Sequence, residues 1–293
     1  MNPNQIYKND FVSLEPIKHI YTDINGDTYE SVSSLLKALE VPFDAETISM
    51  SMARAELGKN APYQTVLQKQ KAIKASWKRK ADNSINHGNF IHDNLEKYWL
   101  TGNTDYPEIN NLASNLYSDV FKSMHRIIPE KIYYDPKRKI AGSADISCIR
   151  KENRTKPWIL DIFDYKTNAE QGITFDSIDR RKVPAKHYER YMIGNFEMIE
   201  SCNYYKYSLQ LSLYAFMAMN LYNARIGRLA IIFVDKNYQY QIIPVPFMYY
   251  EVLALLDQVL SVKPLPIVST VKKEAAVEFD YYNDSEFEIE VGE

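Results

Sequence analysis

The stretch ILDIFDYKTN, residues 159–168, begins as an apolar strand and carries two charged residues near its end. Residues two apart in an extended chain point to the same face, so Asp164 and Lys166 project together while Phe163 and Tyr165 face the opposite way. Burying two unpaired charges would cost on the order of several kcal/mol each. An isolated pair of this kind is therefore usually an ion pair on an edge strand or marks the point where a strand reaches solvent. Features elsewhere in the chain point instead to a site.

The composition is that of a globular protein with one large domain or two small ones: 293 residues, 45% hydrophobic and 25% charged. We expect neither a membrane span nor a signal peptide, because there is no run of about 18 apolar residues and no basic-then-apolar leader. Cys148 and Cys202 are far apart and form no C-x-x-C, which leaves a disulfide framework, a zinc site and an iron–sulfur cluster unsupported. We expect a reducing cytoplasm.

The net charge of −3 conceals an uneven distribution along the chain. Residues 274–293 hold eight acids and no lysine or arginine, so 35 basic and 30 acidic side chains remain in the rest, a net charge of +5. A mildly basic body is compatible with a nucleic-acid partner. For the acidic tail, three alternatives stay open: disorder, an added edge strand, or docking on a protein partner or on the protein's own basic groove.

The N-terminal segment NGDTYESVSSLLKALE carries a turn signal followed by a helix signal. Asn25-Gly26 is typical of a tight hairpin turn, and Ser31 or Ser33 is placed to cap the helix that follows. Helical periodicity then covers residues 46–100, as a basic helix, YQTVLQKQKAIKASWKRKADNS, and an amphipathic helix, NFIHDNLEKYWL.

A change of pattern follows one further predicted helix over residues 112–126. EKIYYD, KIAGSADISCIR and PWILDIFDYKT are extended segments joined by short polar links, which predicts an antiparallel meander. KYSLQLSLYAFMAMNLY returns to helix, two more strands follow, and FMYYEVLALLDQVL is a closing helix. The order predicts an α/β fold in which helices flank a mixed central sheet, with an N-terminal helical region.

Asp145 lies on the strand before the opening stretch, in the segment AGSADI. Adjacent antiparallel strands would bring Asp145 and Asp164 to one end of the sheet, where each raises the pKa of the other unless a cation lies between them. Mg²⁺ or Mn²⁺ suits such a pair, since both prefer oxygen ligands and bind carboxylates together with substrate phosphate. Asp161 lies on the opposite strand face, where a structural pair is the better interpretation.

A histidine lies upstream in the segment NHGNFIHDNLEKYW, where His92 and Glu96 are four apart and share a helix face. A lone helical histidine is more often structural than catalytic. Gly88, one turn earlier, would allow another segment to approach this face closely.

Five short elements follow one another between residues 85 and 220: Gly88-x-x-x-His92, Glu130, Gly142-x-x-Asp145, Asp164-x-Lys166 and Gln210-x-x-x-Tyr214. This ordered set resembles the RecB-like branch of the PD-(D/E)XK nuclease superfamily, which includes many phage exonucleases and the mitochondrial genome-maintenance exonuclease. Ala144 stands where the motif name has proline. No G-x-x-x-x-G-K-[ST] occurs, so no helicase motor is indicated.

The resemblance implies a restriction-endonuclease-like core over residues 85–262, preceded by a hairpin and helical region over 1–84 that is a candidate DNA passage, and followed by the acidic tail over 263–293. It also implies a role for each matching residue. Metal ligands would be the side chains of His92, Asp145 and Asp164 and the backbone carbonyl of Tyr165, with Glu130 behind them or at a second metal. Lys166 would orient or deprotonate the attacking water, and Gln210 and Tyr214 would support the site or hold the scissile nucleotide.

Two basic segments are candidates for DNA contact, although either could be a solvated surface. The first, on the basic helix, offers an aromatic residue for base stacking and consists of Lys74, Trp77, Lys78, Arg79 and Lys80. The second precedes the Gln210 helix and consists of Arg180, Arg181, Lys182 and Lys186.

The function that the resemblance implies is a metal-dependent DNA exonuclease in recombination, repair or processing, acting on single-stranded or free ends with Mg²⁺ or Mn²⁺ and no membrane partner. A bacterial or bacteriophage source fits it. A structure-specific or nicking endonuclease would use the same core. A catalytically silent DNA-binding or assembly protein would be expected to have lost a ligand or the lysine, whereas His92, Asp145, Asp164 and Lys166 are all present.

Overall fold

The computed structural model describes residues 11–16, 18–167 and 191–261, apart from the side chains of 258–261. The strands are β1 (Val12–Glu15), β2 (Ile20–Asp23), β3 (Thr28–Ser31), β4 (Arg126–Asp135), β5 (Ile140–Arg150), β6 (Ile159–Lys166), β7 (Arg225–Val234) and β8 (Tyr240–Pro244). The α-helices are α1 (Val32–Lys37), α2 (Ala45–Leu57), α3 (Tyr63–Thr101), α4 (Pro107–Leu116), α5 (Asn203–Tyr222) and α6 (Tyr249–Ser261). A π-helical turn, Tyr117–Phe121, extends α4, and a short 3-10 helix spans Gly194–Phe196.

The eight strands form one mixed sheet in the order β1-β2-β3-β5-β6-β7-β8, with β4 on the other edge of β5. The strands β4, β5 and β6 are antiparallel neighbours, which confirms the predicted meander. β7 is parallel to β6, and α5 lies in the connection between them. The predicted α/β class, a mixed sheet flanked by helices, is therefore confirmed.

Successive side chains along β6 point alternately to the two faces of the sheet, and each face is covered by a hydrophobic core. Leu160 and Ile162 face the core under α5 and α6. Phe163 and Tyr165 face the other core, which Ile91 of α3 helps to form. Because period-two alternation sends successive residues to opposite faces, the apolar run that opens β6 supplies both cores.

The sheet forks on one edge of β5. β6 pairs with β5 from Arg150↔Ile159 to Ile146↔Phe163, and β3 pairs with it only at Ile140 and Ala141. Among the described strands, none pairs with residues 142–145 on this edge. The carboxyl end of β6 therefore separates from β5 at the level of Asp145.

The helix α3 is longer than predicted, because the basic and amphipathic segments form one continuous helix of 39 residues. Its N-terminal half packs on α2 around a small core of Ala53, Val66, Ile73 and Trp77. Its C-terminal half packs on the sheet and ends at Gly102, whose φ of 83° is left-handed. The predicted boundary between residues 84 and 85 falls inside this unbroken helix.

Two other local predictions had different outcomes. The hairpin is confirmed, since Asn25-Gly26 joins β2 to β3, and Ser31 caps α1 by accepting a hydrogen bond of 3.0 Å from the Ser34 backbone N–H. The helix predicted over 112–126 was placed too late in the chain, because α4 and its π turn run from Pro107 to Phe121. Residues 263–293 lie outside the described part of the chain. None of the described helices combines the length and apolar character that crossing a membrane requires.

Candidate active site

Asp145 and Asp164 lie at the fork between β5 and β6, immediately beyond the last pair, Ile146↔Phe163. Both side chains are buried. Where the next ladder bond would form, the backbone N–H of Tyr165 donates instead to Oδ2 of Asp145, at 2.5 Å. The strand pairing therefore stops at the fork, and the carboxylates of Asp145 and Asp164 lie next to each other there.

Glu130 stands across from Asp145 on the third strand of the meander. The β4–β5 ladder pairs Pro129 with Ile146 and Lys131 with Ala144, which places Glu130 and Asp145 opposite each other. The φ of Glu130 is +44°, a left-handed value that is uncommon outside glycine and in the middle of a strand. Sparsely populated backbone conformations concentrate at functional sites.

His92 reaches the same point from α3. Its Nδ1 lies 3.3 Å from Oδ1 of Asp145. The helix approaches the end of β6 at Gly88, where an added Cβ would lie 3.1 Å from Oγ1 of Thr167. Gly88 therefore has the close-approach role that the sequence suggested.

One potential metal site emerges from these positions. A ligand atom from each of His92, Glu130 and Asp145 can be chosen so that all three lie within 4.8 Å of one another. Asp164 is not part of this triplet, although it is next to Asp145 at the fork. An imidazole and carboxylates are a donor set that a divalent cation accepts.

Lys166 forms an ion pair with Asp164, as expected from their shared strand face. Its ammonium also lies 4.6 Å from the ring centroid of Tyr207 on α5. Oδ2 of Asp164 is buried. Within the described residues, it forms the ion pair with Lys166 but no hydrogen bond of regular geometry. That carboxylate oxygen retains capacity for another cation, which fits a metal beside it.

Burial and mutual charge interactions shift the pKa values of four groups at the site: His92, Glu130, Asp145 and Asp164. Burial, together with the charge of Asp145, raises the pKa of Asp164 to about 6 and that of Glu130 to about 8. Burial disfavours the charged imidazole of His92, but the Asp145 carboxylate outweighs this effect and raises its pKa to about 9. The same imidazole offsets the burial of Asp145 and holds its pKa below the usual value.

The helix α5 brings Gln210 and Tyr214 to the site. Nε2 of Gln210 donates a hydrogen bond of 3.0 Å to the hydroxyl of Tyr214, whose ring is buried. The ring lies against Gly142 on β5, where an added Cβ would be 2.6 Å from Cε1 of Tyr214. Gly142 is therefore needed because the tyrosine occupies the space of a side chain.

Sequence reasoning missed Tyr21 and Tyr207. Tyr21 on β2 is buried near the unpaired edge of β5, where it bonds the backbone of Ser143 and interacts with the charges of Glu130 and Asp145. Burial raises its pKa to about 12. No local signal marks Tyr21, because the sheet alone brings β2 to the site. Tyr207 could have been found from the sequence, because it lies one helical turn before Gln210 and therefore on the same face of the predicted helix.

Tyr165 is held by contacts on both sides. Its hydroxyl accepts a hydrogen bond of 2.9 Å from Nε1 of Trp99, and its ring meets His92 edge-on with centroids 5.6 Å apart. These contacts fix the ring beside the imidazole. The metal-binding role of the Tyr165 carbonyl stays a prediction.

Among the expected DNA contacts on α3, the structure corrects the role of Trp77. Its side chain is 7% exposed and packs on Phe43, with ring centroids 5.6 Å apart, so its ring is not accessible to a base. Lys74 forms an ion pair with Glu46. The remaining candidates of this segment are exposed: Lys78, Arg79 and Lys80. Arg180, Arg181, Lys182 and Lys186 lie outside the described residues.

Asp161 is confirmed as a structural residue. It is fully buried on the face opposite Asp164, and its Oδ2 accepts hydrogen bonds from Nε of Arg150, at 2.8 Å, and Nε of Arg228, at 2.9 Å. Its other oxygen accepts from the Arg228 backbone N–H at 2.8 Å.

Comparison with known proteins gives only distant structural likenesses. No protein-family profile and no curated protein matches the sequence. A crystal structure of a "Putative exonuclease" from Eubacterium rectale is similar at 13% identity and a TM-score of 0.31, covering 85% of this chain and 91% of the other. A likeness at this level does not bear on the function of the chain.

Proposed function

We propose that this protein is a divalent-metal-dependent deoxyribonuclease that hydrolyses phosphodiester bonds from DNA ends. The observation that carries the proposal is the convergence of His92, Glu130 and Asp145 within 4.8 Å, beside the Asp164–Lys166 ion pair. These residues come from one helix and the three successive strands of the meander. Perturbed titratable groups that cluster in this way are typical of catalytic sites.

The residues present fit a divalent cation held by His92, Glu130 and Asp145, with Asp164 next to Asp145 as a further carboxylate. Such an ion supplies positive charge to the phosphate and to the attacking and leaving oxygens. The carboxylates provide hard oxygen ligands, and the imidazole provides nitrogen. Mg²⁺ and Mn²⁺ are the ions that suit this set.

Lys166 supplies the fixed positive charge of the mechanism. Burial disfavours its ammonium, but the charge of Asp164 outweighs the cost and keeps the pKa of Lys166 above its usual value. The side chain therefore stays protonated at neutral pH. We assign it to orient the attacking water and to stabilise the charge that develops on the phosphate.

Tyr207, Gln210 and Tyr214 form a wall of the site on α5. The Tyr207 ring lies beside the Lys166 ammonium and restricts it to the site. The Gln210–Tyr214 hydrogen bond fixes the amide at the edge of the same wall. In this proposal, Gln210 holds the nucleotide next to the scissile bond.

The preference for DNA ends rests on the resemblance of the ordered motifs and on the exposed cations of α3. Lys78, Arg79 and Lys80 lie on the same helix as His92, and Lys78 is 14 residues away, about 21 Å along the axis. A strand entering along α3 would pass these cations before it reached the imidazole.

Cleavage of end-labelled DNA tests the proposal. Linear single-stranded, linear double-stranded and closed circular DNA are each incubated with Mg²⁺, Mn²⁺ or EDTA. We expect metal-dependent ladders of short products from linear DNA and intact circles. Internal cuts in circular DNA would show an endonuclease with the same site.

Two aspartate variants provide the control. Asp145→Asn should abolish cleavage, whereas Asp105→Asn, at an exposed residue that pairs with Lys97, should retain it. Absence of metal-dependent cleavage in the unaltered protein, with DNA binding retained, would overturn the enzymatic proposal in favour of a silent DNA-binding protein.

A further inference from the structure

A group of cations that the sequence did not single out lies at the end of the sheet opposite the candidate active site. We name it the basic end patch: Arg126, Arg150, Lys151, Arg154, Lys156, Arg225 and Arg228. The strand register places Arg150, Ile159 and Arg225 side by side on β5, β6 and β7. Arg126 pairs with Ile149 on the neighbouring strand. Three strand ends and one loop thus bring these cations together.

The acids in contact with the patch neutralise only part of it. Asp161 lies between Arg150 and Arg228, and Glu152 lies 3.8 Å from Nη2 of Arg225. Leaving Arg126 out of the count, these two carboxylates offset two of the six positive charges of Arg150, Lys151, Arg154, Lys156, Arg225 and Arg228. Within the described residues, no ion pair with an acid involves Lys151, Arg154 or Lys156, and a net positive surface results.

The loop between β5 and β6 is organised to present its cations. Oδ1 of Asn153 accepts three hydrogen bonds: from the Thr155 backbone N–H at 3.1 Å, the Thr155 hydroxyl at 2.8 Å, and the Lys156 backbone N–H at 3.1 Å. A side-chain turn of this kind fixes the loop without an apolar core. Arg154 and Lys156, on either side of Thr155, are exposed.

An aromatic side chain lies within the patch. Trp158 is partly buried, with the His125 ring at 4.6 Å between centroids and the Lys151 ammonium at 4.4 Å from its ring centroid. The exposed arginines of the patch, Arg154, Arg225 and Arg228, suit a phosphate backbone, because a guanidinium group can bind phosphate through two parallel hydrogen bonds.

We propose that the basic end patch is a second nucleic-acid contact, which binds the phosphate backbone of DNA away from the bond being cleaved. The identity of the partner rests on the proposed function. The strand β6 runs from this patch at Ile159 to the site at Lys166, seven residue steps or about 23 Å. DNA held at the site would have to extend only this distance to reach the patch. The patch fixes the remote part of the substrate without contacting the reacting atoms.

The test compares two variants with the same change in charge. Arg154→Glu/Lys156→Glu alters the exposed loop of the patch. Lys18→Glu/Lys137→Glu alters two exposed lysines elsewhere on the protein. Binding to a duplex of about 30 base pairs is measured in EDTA over a range of salt concentrations, so that the result does not depend on cleavage.

We expect the patch variant to bind the duplex about tenfold or more weakly than the control variant at low salt. The slope of log affinity against log salt should fall by about 2, because each lost phosphate contact contributes about 0.9. With Mg²⁺ present, KM should rise while kcat is retained. If the patch variant shows this loss of binding but the unaltered protein cleaves no DNA, the patch proposal stands and the enzymatic proposal fails.

Equal affinities and equal salt slopes for the two variants would overturn the proposal. An acidic protein surface would then be the partner that fits the patch. A loss of circular-dichroism signal or of cooperative unfolding in the patch variant alone would call for Arg154→Gln/Lys156→Gln. The same comparison made with this milder variant would decide the outcome.

Discussion

The backbone N–H of Tyr165 donates a hydrogen bond of 2.5 Å to Oδ2 of Asp145 across the fork between β5 and β6. The other oxygen of Asp145 lies 3.3 Å from Nδ1 of His92. One carboxylate therefore joins a strand end to a helix. It is held in place before any ligand binds, which is the preorganisation that a metal or catalytic site requires.

Asp145→Asn should weaken Mn²⁺ binding by at least about tenfold, because it removes the charge at the centre of the cluster. The fold should be retained, since the new amide oxygen can still accept from the Tyr165 backbone N–H. Isothermal titration with Mn²⁺ measures the affinity, and Asp105→Asn is the control. An affinity equal to that of the unaltered protein would remove Asp145 from the proposed ligands.

Lys166→Ala should lower the cleavage rate by about 100-fold to 10,000-fold while leaving DNA binding within about twofold. The reason is that the ammonium acts on the water and on the developing charge, whereas much of DNA affinity comes from phosphate contacts elsewhere. Single-turnover cleavage separates the two effects, with Lys97→Ala as an exposed control. Turnover close to that of the unaltered protein would exclude Lys166 from the mechanism.

The affinity for Mn²⁺ should rise with pH up to about pH 9. His92, with a pKa of about 9, and Glu130, with a pKa of about 8, both carry protons at neutral pH in the metal-free protein. A metal that binds them must displace those protons, so binding is favoured as pH rises and levels off above the higher pKa. Titrations in buffers of different ionisation enthalpy measure the protons released. Binding without proton release at about pH 7 would contradict this expectation.

Gly142→Ala should destabilise the protein by about 1–3 kcal/mol, because the new methyl group would overlap the ring of Tyr214. Urea unfolding measures the loss. The cost should be smaller in a Tyr214→Ala background, where the space is open, although Cγ2 of Val32 at 3.0 Å remains close. An equal destabilisation by Gly142→Ala in both backgrounds would mean that the Tyr214 ring is not the reason why residue 142 must be glycine.

Trp77→Leu should reduce the stability of the α2–α3 packing while changing DNA affinity less than about twofold. The ring is buried on Phe43, so its loss leaves a partial cavity in the small core and removes no accessible stacking surface. Hydrogen exchange of α2 reports the first effect, and DNA titration reports the second. Lys78→Glu/Lys80→Glu, on the exposed side of the helix, should weaken DNA binding instead. A stacking role would require Trp77→Leu to cost about 1–3 kcal/mol of binding.

Much of the secondary structure follows from local chemistry. The Asn25-Gly26 turn and the Ser31 cap were predictable because each depends on residues within a few positions. The shared face of Asp164 and Lys166 follows from period-two alternation alone. The ends of the helices were less predictable, since packing on α2 and on the sheet keeps α3 continuous where the sequence changes from basic to amphipathic.

The sequence by itself determined the residue types at the candidate site and the α/β order of the elements, because strand and helix periodicity are local. Only the tertiary structure decided that β5 and β6 separate at Asp145, that Glu130 adopts a left-handed backbone opposite it, and that Tyr21 and Tyr207 enclose the charges. It also buried Trp77 and assembled the basic end patch. The physical reason is that these features depend on contacts between segments remote in sequence, whose pairing register and packing no local pattern encodes.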